Sequence, residues 1–204
     1  MAGNTLRDAF VDEVRDMYHA EKQLLKALPK LAKAASSDEL REALESHLEE
    51  TQGQVARLEQ VFELLDEKPR GKHCAGMAGI IEEGNALLEE DFEGAVMDAC
   101  IIAAGQRSEH YEMAAYGTCV AWAEALGLTE AAGLLNETLA EEKAADQKLS
   151  AIAEGDINEA ATAGASDEEE DEDAKAPASK QTSQAAARAS KSAKSPAASR
   201  RRVS

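Results

Sequence analysis

The sequence is poor in the residues that build β-sheets, disulfide frameworks and membrane spans. Aromatic residues make up 3% of the 204 positions, and there are four prolines. The three cysteines are odd in number and lack C-x-x-C spacing, which argues against a disulfide framework and a zinc site. No apolar run approaches the roughly 20 residues of a membrane helix, and the N-terminus shows no secretory signal. Without either segment, we expect a cytoplasmic protein. Because Ala, Leu, Glu and Lys dominate the composition, we expect an all-α fold.

Acidic side chains are in excess, and the formal net charge is -18. From Gly155 onward there are nine acids and eight bases, so the excess belongs almost wholly to the preceding residues. An acidic surface of this kind repels nucleic acid and attracts cations. A solvated acidic face with no ligand would have the same composition.

The last fifty residues differ in composition from the rest. They contain an uninterrupted acidic run, Asp167 to Asp173, and end near three arginines at 200–202. Such a segment cannot bury enough apolar surface to fold alone. We expect a helical domain over 1–154 and a disordered tail over 155–204. The tail is either a solvated extension or a segment whose basic end contacts nucleic acid or another anionic surface.

Apolar periodicity predicts four long helices and one short helix. The expected elements are a first helix capped by Asn4 or Thr5, a second capped by Ser36 with Glu39, a short one over 76–88, a third over about 92–126 and a fourth over about 129–153. The short connections make two antiparallel hairpins. The stretch between the hairpins is long enough to cross from one end of the bundle to the other. An all-α four-helix bundle with one long crossover is the ferritin-like arrangement.

Carboxylates interrupt the apolar stripes of these helices. Glu109 and Glu112 are three residues apart in an apolar helical run, so they share a helix face, and Glu21 falls within the stripe of the first helix. Buried carboxylates are costly unless they are paired or coordinate a metal. The pattern therefore predicts a bound cation.

The two hairpins repeat one another in sequence. Glu21 corresponds to Glu112 at an offset of 91, while Glu50 corresponds to Glu142 at an offset of 92. Gln54 and Asp146 are also related by the second offset. The repeat predicts a pseudo-two-fold axis on which one acid from each long helix converges. Four such acids are typical of a site for two divalent metal ions.

Four motifs in this order resemble the bacterial YciF-type ferritin-like stress proteins. The motifs are DMYHAEKQL at 16–24, HLEETQGQVARL at 47–58, EHYEMAAYG at 109–117 and LAEEKAAD at 139–146. The resemblance covers roughly residues 5–154. It implies a homodimeric helical bundle with a two-metal centre and a link to stress, and it implies no particular reaction.

The sequence departs from the broader di-iron pattern, in which Glu-x-x-His on the second helix of each hairpin supplies an imidazole. Gly53 and Ala145 stand where those histidines would be. The candidate metal ligands are Glu21, Glu50, Glu112 and Glu142, with His47, Gln54, Glu109 and Asp146 as substitutes or additions. An oxygen-rich set of this kind is weaker for iron and suits manganese, magnesium or calcium. We expect the site to bind two divalent metal ions, either iron or manganese.

Two classes of function are compatible with these residues. In the first, the protein binds two metal ions and reacts with dioxygen or peroxide as an oxidase or peroxidase. In the second, the protein is a non-catalytic stress or scaffold bundle with a vestigial metal site, and its tail contacts partners or nucleic acid. The buried polar residues are then a hydrogen-bonded layer that fixes helix register. We interpret Tyr18, Tyr111 and Tyr116 as packing residues, and we expect His19 and His110 to face away from the ligands.

Overall fold

The computed structural model describes residues 5–163, and this part of the chain is helical with no strand. The helices are α1 (Leu6–Ala34), α2 (Asp38–Leu64), α3 (Ala75–Leu87), α4 (Gly94–Ala125) and α5 (Thr129–Ile152). Helix α1 packs on α2, α4 packs on α5, and the two hairpins meet through α1 with α4 and α2 with α5. This arrangement confirms the ferritin-like four-helix bundle of two antiparallel hairpins. Nowhere in residues 5–163 does a helix combine the length and apolarity that a membrane crossing requires.

The predicted start of α1 is confirmed, whereas that of α2 was wrong by one residue. Thr5 caps α1 in a capping box with Asp8. The cap of α2 is Ser37, whose hydroxyl accepts a hydrogen bond from the backbone of Leu40. Asp98 of α4 is buried and accepts hydrogen bonds from the backbone N–H groups of Ser36 and Ser37, at 2.7 and 3.0 Å. This tertiary contact fixes the turn and leaves Ser37 to cap the helix.

The crossover between the hairpins carries α3, which packs against α1 and α4. Its anchor is Cys74, a buried residue whose Sγ lies 3.1 Å from Tyr111 Oη. The backbone N–H of Cys74 donates to His19 Nδ1 at 3.2 Å, and the Tyr111 hydroxyl donates to Asp16 at 3.2 Å. A Cβ at Gly76 would stand 2.6 Å from the Tyr111 ring. The close approach of α3 to α4 therefore depends on a glycine at this position.

The helical conformation extends past residue 154. A single π-helical turn, Ala153–Ile157, follows α5, and helix continues to residue 163. Ile157 is 6% exposed, and the turn packs against α4 and α5. The expected boundary after residue 154 thus falls inside a helical segment that packs on the bundle. The acidic run and the basic end of the expected tail lie outside the described residues.

Candidate metal centre

Five side chains from the four long helices meet inside the bundle, and we call them the acidic centre. They are Glu21 of α1, His47 of α2, Glu109 and Glu112 of α4, and Glu142 of α5. None of the five is more than 6% exposed. Because Glu109 and Glu112 are one helical turn apart, α4 alone supplies two of the four carboxyl groups. Both hairpins are therefore needed to assemble the centre.

Four of these residues are close enough to share an ion. His47, Glu109, Glu112 and Glu142 each offer one ligand atom, and these atoms all lie within 4.8 Å of one another. His47 Nε2 is 3.2 Å from Glu109 Oε1 and 3.9 Å from Glu142 Oε2. Glu21 completes the centre from α1, and its Oε1 accepts a hydrogen bond from the buried hydroxyl of Tyr116.

Six of the eight carboxyl oxygens of the acidic centre lack a hydrogen-bond partner in the described part of the chain. Both oxygens of Glu112, both of Glu142, and Oε2 of Glu21 and of Glu109 are buried without a partner in the described part of the chain. Buried polar groups are normally satisfied, and an unpaired carboxylate is among the most expensive to bury. Protons or cations are what can compensate these oxygens. Carboxylate oxygens around one imidazole form a donor set that fits manganese, iron(II) or magnesium.

The centre holds protons when no metal is bound. Burial, with a smaller part from repulsion by neighbouring carboxylates, raises the pKa of Glu21 to about 8, that of Glu109 to about 7 and that of Glu142 to about 9. Burial and the same neighbours also place the pKa of Glu112 well above its ordinary value. Burial lowers the pKa of His47, but its hydrogen bond with Glu50 and the nearby carboxylates outweigh this and leave the pKa raised. At neutral pH the centre is therefore substantially protonated.

The expected inward position of Glu50 is not found. Its side chain is 45% exposed, and its Oε2 lies 3.4 Å from Nδ1 of His47. Glu50 follows His47 by three residues, which turns it about 60° around α2 from the inward direction. His47 therefore occupies the interior position on α2, and Glu50 sits beside the centre instead of in it.

Two further candidates, Gln54 and Asp146, form hydrogen bonds with residues outside the acidic centre. Gln54 is fully buried and donates from Nε2 to Glu141 at 3.1 Å, while its Oε1 has no partner. Asp146 accepts a hydrogen bond from Gln106 at 3.1 Å and lies 3.2 Å from Nε2 of His110, whose side chain is 66% exposed. Gln54 thus brings an unsatisfied oxygen to the interior, whereas Asp146 belongs to a half-exposed polar cluster on α4 and α5.

Sequence reasoning missed the role of Tyr116, which was expected only to pack. It is fully buried, and its hydroxyl orients Glu21. The available signal was its position four residues after Glu112, on the same face of α4. The contact itself joins residues 95 positions apart, so helical spacing alone could not reveal it.

A cavity of about 90 Å³ lies between α2 and α5 and borders the acidic centre. We call it the α2–α5 cavity; among its lining residues are His47, Glu50, Glu109, Ala144, Ala145 and Lys148. Ala145 stands where the di-iron pattern has a histidine, so a small side chain leaves this space open. Volumes of this size hold several water molecules.

Comparisons with known proteins agree with this architecture. Residues 5–162 match the family described as "Domain of unknown function (DUF892)". Protein YciF of Escherichia coli strain K12 is 48% identical over 158 residues, which cover 77% of this chain and 95% of that protein. The crystal structure of the E. coli stress protein YciF superposes with a TM-score of 0.74 at 47% identity, covering 76% of this chain and 99% of that one.

Two more solved structures are similar. YcfI of Rhodopseudomonas palustris gives a TM-score of 0.71 at 46% identity, covering 72% of this chain and 94% of its own. A protein from Xanthomonas campestris pv. campestris gives 0.62 at 22% identity, covering 81% and 99%, and this likeness concerns the fold alone. The matched motifs, the bundle and these relatives agree with one another: the chain belongs to the DUF892 family of YciF-type ferritin-like proteins.

Proposed function

We propose that the acidic centre binds two divalent metal ions, iron or manganese, and that this binding is the biochemical basis of the protein's role. The observation that carries the proposal is the grouping of His47, Glu109, Glu112 and Glu142, whose ligand atoms all lie within 4.8 Å of one another and whose carboxyl groups leave five buried oxygens without a partner. A permanent structural layer would instead be expected to satisfy its polar atoms internally. The oxygens are thus placed to accept a positive ligand in addition to the His47 imidazole.

The ligands in this proposal are Glu21, His47, Glu109, Glu112 and Glu142, with Gln54 Oε1 as an additional oxygen. Each carboxyl group gives up its proton to the solvent when an ion enters, because metal binding requires the deprotonated form. Tyr116 holds one oxygen of Glu21 and leaves the other free for an ion. Bound iron or manganese would supply the electrons for a reaction with dioxygen or peroxide.

The rival function is a polar layer that fixes helix register without metal. In that case the raised carboxyl pKa values serve only to keep the buried groups neutral. Both functions require protonated carboxyls in the metal-free protein. They differ in what happens when a divalent cation is added, because only the first predicts uptake accompanied by the release of protons.

The test is a calorimetric titration of chelator-treated protein with Mn²⁺ or anaerobic Fe²⁺, repeated in buffers of different ionisation enthalpy. We expect about two ions per chain and a net release of protons. Glu112→Gln replaces an ionisable ligand of the centre by a neutral amide and should lose at least one ion. Glu124→Gln is the matched control, since it changes an exposed residue of the same helix.

Two results would refute the metalloprotein proposal. One is wild-type protein that takes up neither ion. The other is a folded Glu112→Gln variant that retains full uptake, because the ions would then bind elsewhere on the acidic surface. Either result would leave the register-fixing layer as the function of the buried groups.

Three broader expectations accompany the proposal. A stress role is supported by the relationship to the E. coli protein, which is described as a stress protein. A homodimer follows from the family resemblance, and sedimentation analysis of the intact chain tests it. A cytoplasmic location is the third expectation, and it is carried over from the sequence analysis.

A further inference from the structure

The α2–α5 cavity connects solvent with the acidic centre through three aligned side chains. The side chain of Glu50 is 45% exposed, whereas those of His47 and of Glu109, at the inner end, are buried. Each nitrogen of the imidazole faces one carboxylate, with Nδ1 3.4 Å from Glu50 Oε2 and Nε2 3.2 Å from Glu109 Oε1. Oε2 of Glu109 is buried and has no partner. The series carboxylate, imidazole, carboxylate offers a cation a ligand at each stage, with the imidazole ligating in its deprotonated form.

The other residues of the centre are closed to solvent. Glu21, Glu112 and Glu142 are each 0% exposed. A second cavity, between α1, α3 and α4, has a mostly apolar lining and borders none of the five residues. The contact of the centre with the α2–α5 cavity, by contrast, runs through His47 and Glu109, two members of the centre itself.

Charge and side-chain size also suit this cavity to cations. Glu50 is exposed, so it carries its charge at neutral pH and can attract a cation from water. Lys148 lines the same cavity as Glu50. Its ammonium group thus competes with an approaching ion for that carboxylate. Ala144 and Ala145 contribute small side chains that leave room beside the imidazole.

We infer that the α2–α5 cavity is the route by which divalent cations reach the acidic centre, with Glu50 as the capture residue and His47 as the transfer ligand. The inference rests on the proposed function and adds a path to it. It also gives Glu50 a role that its exposure permits, since a residue outside the centre governs how fast ions arrive and not how many are held. Glu50 and Lys148 therefore act in opposite senses on the rate of uptake.

The experiment mixes chelator-treated, full-length protein with Mn²⁺ in a stopped-flow instrument and follows proton release with a pH indicator. Glu50→Gln should slow uptake about three- to tenfold at low ionic strength, and added salt should shrink the difference. Lys148→Gln should accelerate uptake about two- to threefold because it removes a competing cation. Ala145→Leu narrows the cavity without changing charge and should also slow uptake.

The matched control is Glu49→Gln, which removes an equal charge from an exposed neighbour that does not line the cavity. Its uptake rate should stay close to that of the wild type. The number of ions bound at equilibrium, measured by metal analysis after desalting, should be the same in all four variants. A lowered rate with an unchanged count is the signature of a route as opposed to a ligand.

Three outcomes overturn the inference in distinguishable ways. Unchanged uptake rates in both Glu50→Gln and Ala145→Leu, with normal metal content, would reject the route and leave the proposed function intact. A lower metal count in Glu50→Gln would make Glu50 a ligand. No Mn²⁺ uptake by wild-type protein would remove the metal centre together with its route.

Discussion

At the residue scale, the distinctive feature of the molecule is a set of carboxyl groups buried without donors. Glu112 and Glu142 are fully buried, and neither oxygen of either group accepts a hydrogen bond within residues 5–163. In a metal-free protein such groups must be neutral to be tolerated, which is why their pKa values are raised. Their protonation therefore makes the stability of the metal-free protein depend on pH.

We predict that the metal-free protein loses stability as the pH rises from about 4.5 to about 9. Below this range the carboxyls are protonated in both states, and the stability is highest and does not change with their titration. As the pH rises, the unfolded chain loses these protons first, so the stability falls until the folded state's own groups ionise, and it then stays at the lower level. The raised pKa of His47 acts in the same direction, because protonation at low pH favours the folded state. Urea unfolding in the presence of chelator measures the trend.

The control for this prediction replaces one carboxyl group by a neutral amide, at a buried position and at an exposed one. Glu142→Gln should flatten the pH dependence, whereas Glu45→Gln, at an exposed position of α2, should leave it unchanged. Equal slopes in wild type and Glu142→Gln would show that the buried groups do not control the pH response.

Also at this scale, sequence reasoning found the chemistry of the site but not all of its geometry. The buried positions of Glu21, Glu112 and Glu142 followed from acids placed in apolar stripes. The exchange of Glu50 for His47 did not, because both residues lie near one edge of the α2 stripe, and the rotation of the helix decides which one faces inward. That rotation is set by the packing of α2 against α1 and α5, and the spacing of residues along α2 does not predict it.

At the scale of elements, the sequence repeat correctly predicted two helical hairpins. It did not predict that corresponding residues of the two hairpins differ in burial. Glu142 is fully buried on α5, yet its counterpart Glu50 is 45% exposed on α2. Gln54 is buried, whereas its counterpart Asp146 is 19% exposed. The pseudo-two-fold relation therefore holds for the order of the helices and breaks in the rotation of α2. Helix order follows from connection length, but rotation depends on the fit of side chains between helices.

The attachment of the crossover leads to a second prediction, which uses two glycines of α3. Gly76→Ala should lower the free energy of unfolding by about 1–3 kcal/mol, because the new Cβ would overlap the Tyr111 ring and force α3 away from α4. Gly79→Ala meets no atom within 4 Å, and it should raise the same quantity by about 0.5–1 kcal/mol through its helix propensity. Urea denaturation of the two variants provides the comparison.

Opposite signs for the two substitutions would attribute the effect to the contact with Tyr111. If Gly76→Ala stabilises the protein as much as Gly79→Ala, α3 does not pack against Tyr111 as closely as the structure has it.

At the scale of the whole molecule, the folded part extends beyond the boundary that composition suggested. Composition changes at about residue 155 because acidic, alanine and serine residues begin to dominate. The backbone nevertheless remains helical to residue 163, and Ile157 packs on the bundle after one π-helical turn. A single apolar residue that faces the bundle, such as Ile157, hardly changes the local composition. Composition alone therefore did not predict that the helix continues.

We predict that Ile157→Ala in the full-length chain lowers the free energy of unfolding by about 2–4 kcal/mol, as expected for truncating a buried isoleucine. Asn158→Ala, at the exposed neighbouring position, should change it by less than about 0.5 kcal/mol. Thermal and urea unfolding followed by circular dichroism measure both. If the two variants are equally stable, Ile157 does not contribute to the fold, and the folded domain ends at residue 154.

The distribution of the centre over both hairpins has a consequence for synthesis of the chain. Glu21 and His47 leave the ribosome early, Glu109 and Glu112 follow on α4, and Glu142 comes last on α5. Until α5 is available, the carboxyls of α4 are in contact with water and ionised at cellular pH. When α5 docks and buries these carboxyls, they must therefore bind protons or metal ions. The rate of docking then depends on the concentration of those ions in the surrounding solution.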